Sequence, residues 1–137
     1  MPKFLLLKHY NGGPAPLPNC VPMSEWTPAE IDAHIAFQHQ VVAMLQDSGE
    51  YVDAQGLSPA GSYVRYGGPD AAPVATDGPF PESKELIAGY YLVDVASTER
   101  AHEIAAFASS APGKDGEPIY EWIEVREILG PPPTASD

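Results

Sequence analysis

The segment at residues 86–95, LIAGYYLVDV, constrains the fold most, because it is almost continuously apolar and rich in residues that favour β-structure. It predicts a strand within a sheet. Residues 3–9 carry a second apolar run that could be buried on both faces, as in a central strand. Residues 50–57 and 119–128 predict two further strands.

Local start and stop signals predict two helices. Thr27, Pro28 and Glu30 form a capping box with proline at the first helical position, and Gly49 is a natural C-terminal stop. Ser97 can cap the second helix. The first helix has an apolar stripe of Ile31, Ile35, Val42 and Leu45, widened by Phe37, Val41 and Met44. The inner stripe of the second comprises Ala101, Ile104, Ala105 and Ala108.

The order of these elements predicts the fold. Residues 61–66 and 73–76 flank the turn-forming residues 67–70 and predict a β-hairpin. With this hairpin set aside, the order is that of an α+β, ferredoxin-like βαββαβ fold with both helices on one face of an antiparallel sheet. The other face then needs a cover, since large exposed apolar patches are rare on monomers. A homodimer that pairs sheet to sheet is the simplest cover.

Composition limits the partners. The net charge of −12 would repel nucleic acid and acidic membrane surfaces, so we expect neither as a partner. A small-molecule ligand or another protein is compatible, and the acidity is also explained by solubility alone. The N-terminus lacks the pattern of a signal peptide, and no segment approaches the length of a membrane span. We therefore expect a cytoplasmic protein.

The sequence gives no sign of a metal or cofactor, and we expect none. His34 and His39 are five residues apart and would lie on different helix faces, so they do not form a metal pair. Cys-x-x-Cys, phosphate-binding glycine loops and Gly-x-Ser-x-Gly are not found. Cys20 is the single cysteine, so no internal disulfide can form, and as a nucleophile it lacks a nearby base in sequence.

A family resemblance emerges from the central segment. Residues 74–95, VATDGPFPESKELIAGYYLVDV, resemble the signature of the DGPF branch of the YCII-related proteins, and the resemblance extends over nearly the whole chain. It implies a dimeric ferredoxin-like α+β barrel. Residues 1–129 would form one domain, and residues 130–137 a flexible tail. The wider group includes a dehalogenating or lyase-type enzyme of muconolactone chemistry. The resemblance implies a cleft in which a histidine of the first helix meets a carboxylate, the feature for which relatives are suspected of being enzymes.

The same resemblance indicates candidate catalytic residues. His39 fits the histidine of the first helix, and Asp77 is the candidate carboxylate. A histidine at the border of an apolar stripe should be half-buried and can move protons near neutral pH. The alternative is that His39 is a boundary histidine and that Asp77 caps its own turn, with Gly78 supplying flexibility and Phe80 filling the core.

Three further side chains are candidates for substrate binding. Lys84 and Arg65 are scarce positive charges that could hold a substrate carboxylate, and His9 could line the same cleft. Surface ion pairs are the alternative for the two cations. His34, inside the stripe, is expected to be a packed core or interface histidine.

Two functions remain open. The first is a cofactor-independent enzyme, of the isomerase or lyase type, that transfers protons on a small metabolite. The second is a non-catalytic dimeric module that binds a ligand or protein in a stress or regulatory role.

Overall fold

The structure is a computed structural model that describes residues 2–11, 14, 21–58, 60–78 and 86–133; of residues 10, 11, 77, 78 and 86 it describes only the backbone. Two α-helices and six strands lie in these ranges. They follow the order β1 (Lys3–Asn11), α1 (Pro28–Ser48), β2 (Tyr51–Gly56), β3 (Gly61–Arg65), β4 (Val74–Gly78), β5 (Leu86–Asp94), α2 (Thr98–Ser109) and β6 (Ile123–Glu127).

The main sheet of the described chain has the strand order β2–β5–β1–β6, and every neighbouring pair is antiparallel. The α+β class is confirmed, and this order is consistent with the ferredoxin-like plan. The two central strands, β1 and β5, are the most apolar segments of the sequence. Each of them is hydrogen-bonded to a neighbouring strand along both edges.

Both helices pack on one face of this sheet. Phe4 and Leu6 of β1 alternate toward the helices, and Val93 of β5 does the same. The helices contribute Val41 and Leu45 from α1 and Ala101, Ile104, Ala105 and Ala108 from α2. Leu5, Leu7, Tyr90 and Leu92 therefore point to the opposite face, which no helix of the described residues covers. We call it the open face.

The predicted helix ends are confirmed. The Thr27 hydroxyl accepts a hydrogen bond from the Glu30 backbone N–H at 3.2 Å, and the Glu30 carboxylate accepts one from the Thr27 N–H at 2.8 Å. Gly49 ends α1 in the left-handed conformation, with φ of 78°. The Ser97 hydroxyl caps α2 by accepting from the Arg100 N–H at 3.1 Å.

Two expectations need correction. The last strand was expected over residues 119–128 but spans only Ile123–Glu127, because Tyr120 has a positive φ of 58° that breaks the extended backbone. Ile35 was expected in the buried stripe of α1 but is 45% exposed. The buried residues of α1 are His34, Val41 and Leu45, so the helix is rotated away from Ile35.

The predicted hairpin is present as a separate two-stranded sheet of β3 and β4, with Arg65 opposite Val74. Every residue of β3 is exposed. Cys20 and Phe80 lie outside the described residues, as do residues 134–137 of the expected tail. None of the described helices is both long and apolar enough to cross a membrane.

The Glu30 carboxylate should make α1 sensitive to acid. Its pKa is lowered to about 2 by the hydrogen bond from the Thr27 backbone, then by that from Asp115, with Lys114 contributing. A carboxylate whose pKa is lower in the folded chain stabilises the fold above its unfolded pKa, and this contribution is lost as the pH falls. We expect the stability advantage of the natural chain over Glu30→Gln to shrink between about pH 4.5 and about pH 2.

Urea unfolding followed by circular dichroism at several pH values measures this difference. Glu127→Gln removes an exposed carboxylate on β6 and serves as the control. If the free energies of unfolding of the natural chain and Glu30→Gln differ by the same amount at every pH down to pH 2, the proposed role of the carboxylate is contradicted.

Candidate functional site: a buried polar cluster beside helix α1

Adjacent residues near the end of β1 place two polar side chains on opposite faces of the sheet. Lys8 follows Phe4 and Leu6 toward the helices, and its ammonium lies 3.2 Å from the Glu121 carboxylate. Both side chains are only 11% exposed. His9 points to the open face, where its Nε2 lies 3.1 Å from the Glu124 carboxylate. The segment around β6 thus supplies one acid to each face.

Both ring nitrogens of His34, on α1, make hydrogen bonds. Its Nδ1 lies 2.9 Å from the Pro112 carbonyl oxygen, which can only accept, so Nδ1 carries the proton. Its Nε2 lies 3.2 Å from the Gln38 amide nitrogen, which can only donate, so Nε2 is the acceptor. The Trp26 ring packs against the imidazole in an edge-on arrangement, with ring centroids 5.4 Å apart. The contacts fix both the ring orientation and the tautomer.

The surroundings of His34 favour its neutral form. Burial lowers the pKa of the imidazole, against the raising effect of the hydrogen bond to Pro112. Lys8 lowers the same pKa further and Glu121 raises it, so both charges of the ion pair act on the imidazole. His34 is therefore a neutral base near neutral pH.

Tyr91 of β5 completes what we call the helix-side cluster: Lys8, His34, Tyr91 and Glu121. The phenol is 6% exposed. Burial raises its pKa to about 12, with the Glu121 charge as the second cause. Tyr91 therefore stays protonated and can donate a hydrogen bond at any physiological pH.

The ion pair in this cluster is incompletely satisfied. Although Lys8 Nζ is 3.2 Å from Glu121 Oε1, this buried oxygen has no partner with hydrogen-bond geometry in the described structure. Buried oxygens without a hydrogen bond are rare, because the lost hydration is costly. A ligand with an O–H or N–H group could fill this acceptor.

The cluster has the chemistry for proton transfer. It combines a neutral imidazole as a base, an ammonium that can stabilise developing negative charge, and a phenol that can donate to an oxygen. Among the residues that the structure describes, no three His, Cys, Asp or Glu side chains are grouped to hold a metal ion.

The open face carries two polar pairs of its own. Besides the contact between His9 and Glu124, the Tyr90 hydroxyl donates to the Asp53 carboxylate at 2.8 Å. This hydrogen bond is the largest cause of the lowered pKa of Asp53. Nδ1 of His9 is buried and has no hydrogen-bond partner among the described residues.

The predicted catalytic residues are only partly described. His39 was expected to be half-buried but is exposed, because α1 turns His34, and not residue 39, toward the sheet. In the described structure no hydrogen bond or ion pair reaches its side chain. Asp77 lies in β4 opposite Ser62, and its side chain is outside the described part. The pairing of His39 with Asp77 thus stays a prediction.

Two of the three predicted binding residues have described side chains, and these two lie on different strands. Lys84 is outside the described residues. Arg65 ends the exposed strand β3, and His9 sits on the open face next to Glu124. No hydrogen bond or ion pair joins any two of His9, His39 and Arg65, whose side chains are all described.

Sequence reasoning missed Lys8, Tyr91 and Glu121. For Lys8 a signal was available, because strand alternation from Phe4 and Leu6 puts it on the helix side. For Glu121 the same alternation, counted back from Val125 and Ile123 in the predicted strand, also gives the helix side, although β6 itself begins only at Ile123.

Residues 19–129 of the 137 match the sequence profile of the YCII-related domain. The chain belongs to the YCII-related family. No curated protein matches it closely. The YCII-related match includes His34, Tyr91 and Glu121 of the helix-side cluster, while Lys8 on β1 precedes it.

Breaking the ion pair of the helix-side cluster should destabilise the fold. Lys8→Met leaves the Glu121 carboxylate buried without its counter-ion. We expect the free energy of unfolding to fall by about 2–4 kcal/mol, a range that allows for the residual exposure of the pair. The double variant Lys8→Met with Glu121→Leu removes both charges. Its free energy of unfolding should fall by less than the sum of the decreases in the two single variants. Urea unfolding measures the coupling. Strict additivity would show that the two charges do not interact.

Proposed function

We propose that this YCII-related protein is a cofactor-independent enzyme that transfers protons on a small carbonyl-containing metabolite, with the helix-side cluster as its site. The observation that carries the proposal is the neutral, oriented imidazole of His34 beside the buried ion pair of Lys8 and Glu121. Perturbed titratable groups of complementary kinds gathered in one place are typical of acid–base sites.

In this proposal His34 is the general base. Its Nε2 lone pair is engaged by Gln38, a half-buried and flexible side chain of the same helix that a substrate could displace. His34 would remove a proton from the carbon next to a carbonyl group, so that the electron pair moves to the carbonyl oxygen. In a β,γ-unsaturated carbonyl compound the resulting dienolate can take the proton back at its γ-carbon, which completes an isomerisation.

Lys8 and Tyr91 would stabilise the oxygen that becomes negative. The ammonium supplies a positive charge and the phenol a hydrogen bond, both from a dry environment where such interactions are strong. The Glu121 oxygen without a hydrogen-bond partner would accept from a substrate hydroxyl. A small carboxylated or cyclic oxo compound that also carries a hydroxyl group has the required groups.

The catalytic pair predicted from the sequence, His39 and Asp77, is an alternative site for the same class of reaction. There His39 is the base, Asp77 orients it, and Lys84 binds an anion. The sequence at residues 77–80 supports it, as it supports our placement of the chain in the DGPF branch. The exposure of His39 weighs against it, because an exposed base lacks the water exclusion that strengthens such chemistry.

A non-catalytic binding module is the second candidate. Exposed apolar side chains favour it: Val64, Tyr66 and Tyr120 are 63%, 76% and 59% exposed. Aromatic side chains at the surface are enriched at binding interfaces.

Nuclear magnetic resonance in D₂O can test the enzyme proposal without knowledge of the product. A panel of small lactones and oxo acids is incubated with the protein, and exchange of C–H protons beside the carbonyl group is followed. For a compound that exchanges, His34→Gln should lower the rate about 100-fold or more. His39→Ala and Asp77→Asn, as matched comparators, should retain it within a few-fold.

The pH profile gives a further criterion. Because burial lowers the pKa of His34, the rate should fall on the acid side only below about pH 6.5, the usual value for histidine. Loss of the rate in His39→Ala and Asp77→Asn but not in His34→Gln would transfer the assignment to the rival pair. Ligand-induced thermal stabilisation without exchange of any compound would favour the binding module.

A further inference from the structure

The loop of residues 112–118, between α2 and β6, closes on itself. Its two ends meet in an isolated β-bridge. Just outside this bridge, the Ile119 N–H donates to the Ala111 carbonyl oxygen at 3.0 Å. Inside the loop, the Gly113 N–H donates to the Glu117 carbonyl oxygen at 2.8 Å. The loop is therefore a compact unit that joins the rest of the chain at one place.

This 112–118 loop lies directly against the proposed base. The Pro112 carbonyl oxygen accepts the hydrogen bond of His34 Nδ1. Gly113 packs so closely on the Trp26 ring that a Cβ atom at this position would lie 3.1 Å from Trp26 Cζ2. The same indole ring contacts the imidazole edge-on. Beneath these contacts, His34 is 5% exposed.

Side chains hold the loop to the start of α1. The Glu30 carboxylate accepts hydrogen bonds from the Asp115 backbone N–H and from the Lys114 ammonium, the latter at 3.2 Å. The same ammonium donates to the Glu25 carbonyl oxygen at 3.3 Å. These contacts are charge-assisted, which makes them stronger than neutral hydrogen bonds. They are also few and partly exposed, so they can break at a lower free energy than the contacts of the core.

A buried imidazole can receive a substrate only if part of its surroundings moves. We propose that the 112–118 loop is a lid over His34, hinged at Ala111 and Ile119 and held shut by the Glu30 carboxylate. Open, the lid admits a substrate to the helix-side cluster.

The shut lid also prepares the base. Its Pro112 carbonyl oxygen holds the proton on Nδ1 of His34, which leaves Nε2 as the nitrogen that can accept a proton. The lid thus regulates the same site as the proposed reaction and rests on that proposal for its purpose. The movement itself can be measured without a substrate.

Two variants release the lid in different ways. Lys114→Met removes the ammonium that binds Glu30. Gly113→Ala adds a methyl group whose nearest neighbouring side-chain atom is 2.7 Å away, so the lid or its neighbours must shift. The matched controls are Lys3→Met, at an exposed position of β1, and Gly56→Ala, where an added Cβ atom meets nothing within 4 Å.

Acylation of the histidines by diethyl pyrocarbonate, followed by mass spectrometry, measures how often the lid opens. In Lys114→Met, His34 should react about tenfold faster than in the natural chain, the factor expected for loss of one charge-assisted hydrogen bond. Gly113→Ala should accelerate the reaction as well. The exposed His39 on the same helix is the internal reference, and its rate should not change. Circular dichroism checks that each variant is folded. An unchanged rate at His34 in both release variants overturns the proposal, as does equal acceleration in the controls.

Amide hydrogen exchange separates a moving lid from local unfolding. In Lys114→Met the Asp115 amide, which loses its contact with Glu30 when the lid opens, should exchange about tenfold faster. The Gly113 amide should keep its rate, because its acceptor, the Glu117 carbonyl oxygen, moves with it. Faster exchange of both amides means that the loop unfolds, and it overturns the hinged lid.

The result for the lid is distinguishable from the result for the reaction. If no compound exchanges its C–H protons while His34 is acylated faster in the release variants, the lid is supported and the proposed reaction fails. If a compound exchanges while the acylation rate of His34 is unchanged, the reaction stands and the lid is overturned.

Discussion

The pairing of β1 with both β5 and β6 is the constraint on which the rest of this structure depends. It makes β1 a central strand, and the two-residue period of a strand then assigns each of its side chains to one face. Phe4 and Leu6 enter the core with the helices, while Leu5 and Leu7 enter the open face. The same period continues into Lys8 and His9, so the first of these adjacent polar residues lies on the helix side of the sheet and the second on the open face.

That division explains why the polar groups of this small protein do not form one site. On the helix side, Lys8 meets Glu121, the charges of this pair shift the pKa of His34, and burial controls the protonation of the imidazole and of the Tyr91 phenol. On the open face, hydrogen bonds at the outer strands leave an apolar centre. The first environment suits chemistry on a small molecule. The second suits contact with another sheet.

The two histidines of α1 show how burial, rather than residue type, separates a candidate site from a surface position. His34 and His39 lie on one helix five residues apart. One packs against Trp26 and donates to the Pro112 carbonyl, and the other is exposed. The difference follows from the rotation of α1, which is set by Val41 and Leu45 in the core. Membership of the YCII-related family does not by itself choose between them.

The sequence alone determined the α+β class, the helix ends and the strands of the main sheet, because caps, apolar periodicity and glycine stops act over a few residues. Thr27, Glu30, Gly49 and Ser97 behave as their local chemistry dictates. The rotation of α1, the late start of β6 and the meeting of Lys8 with Glu121 were decided only by the tertiary structure. These features depend on contacts between residues far apart in the chain, such as His34 with Pro112, whose free energy no local pattern contains.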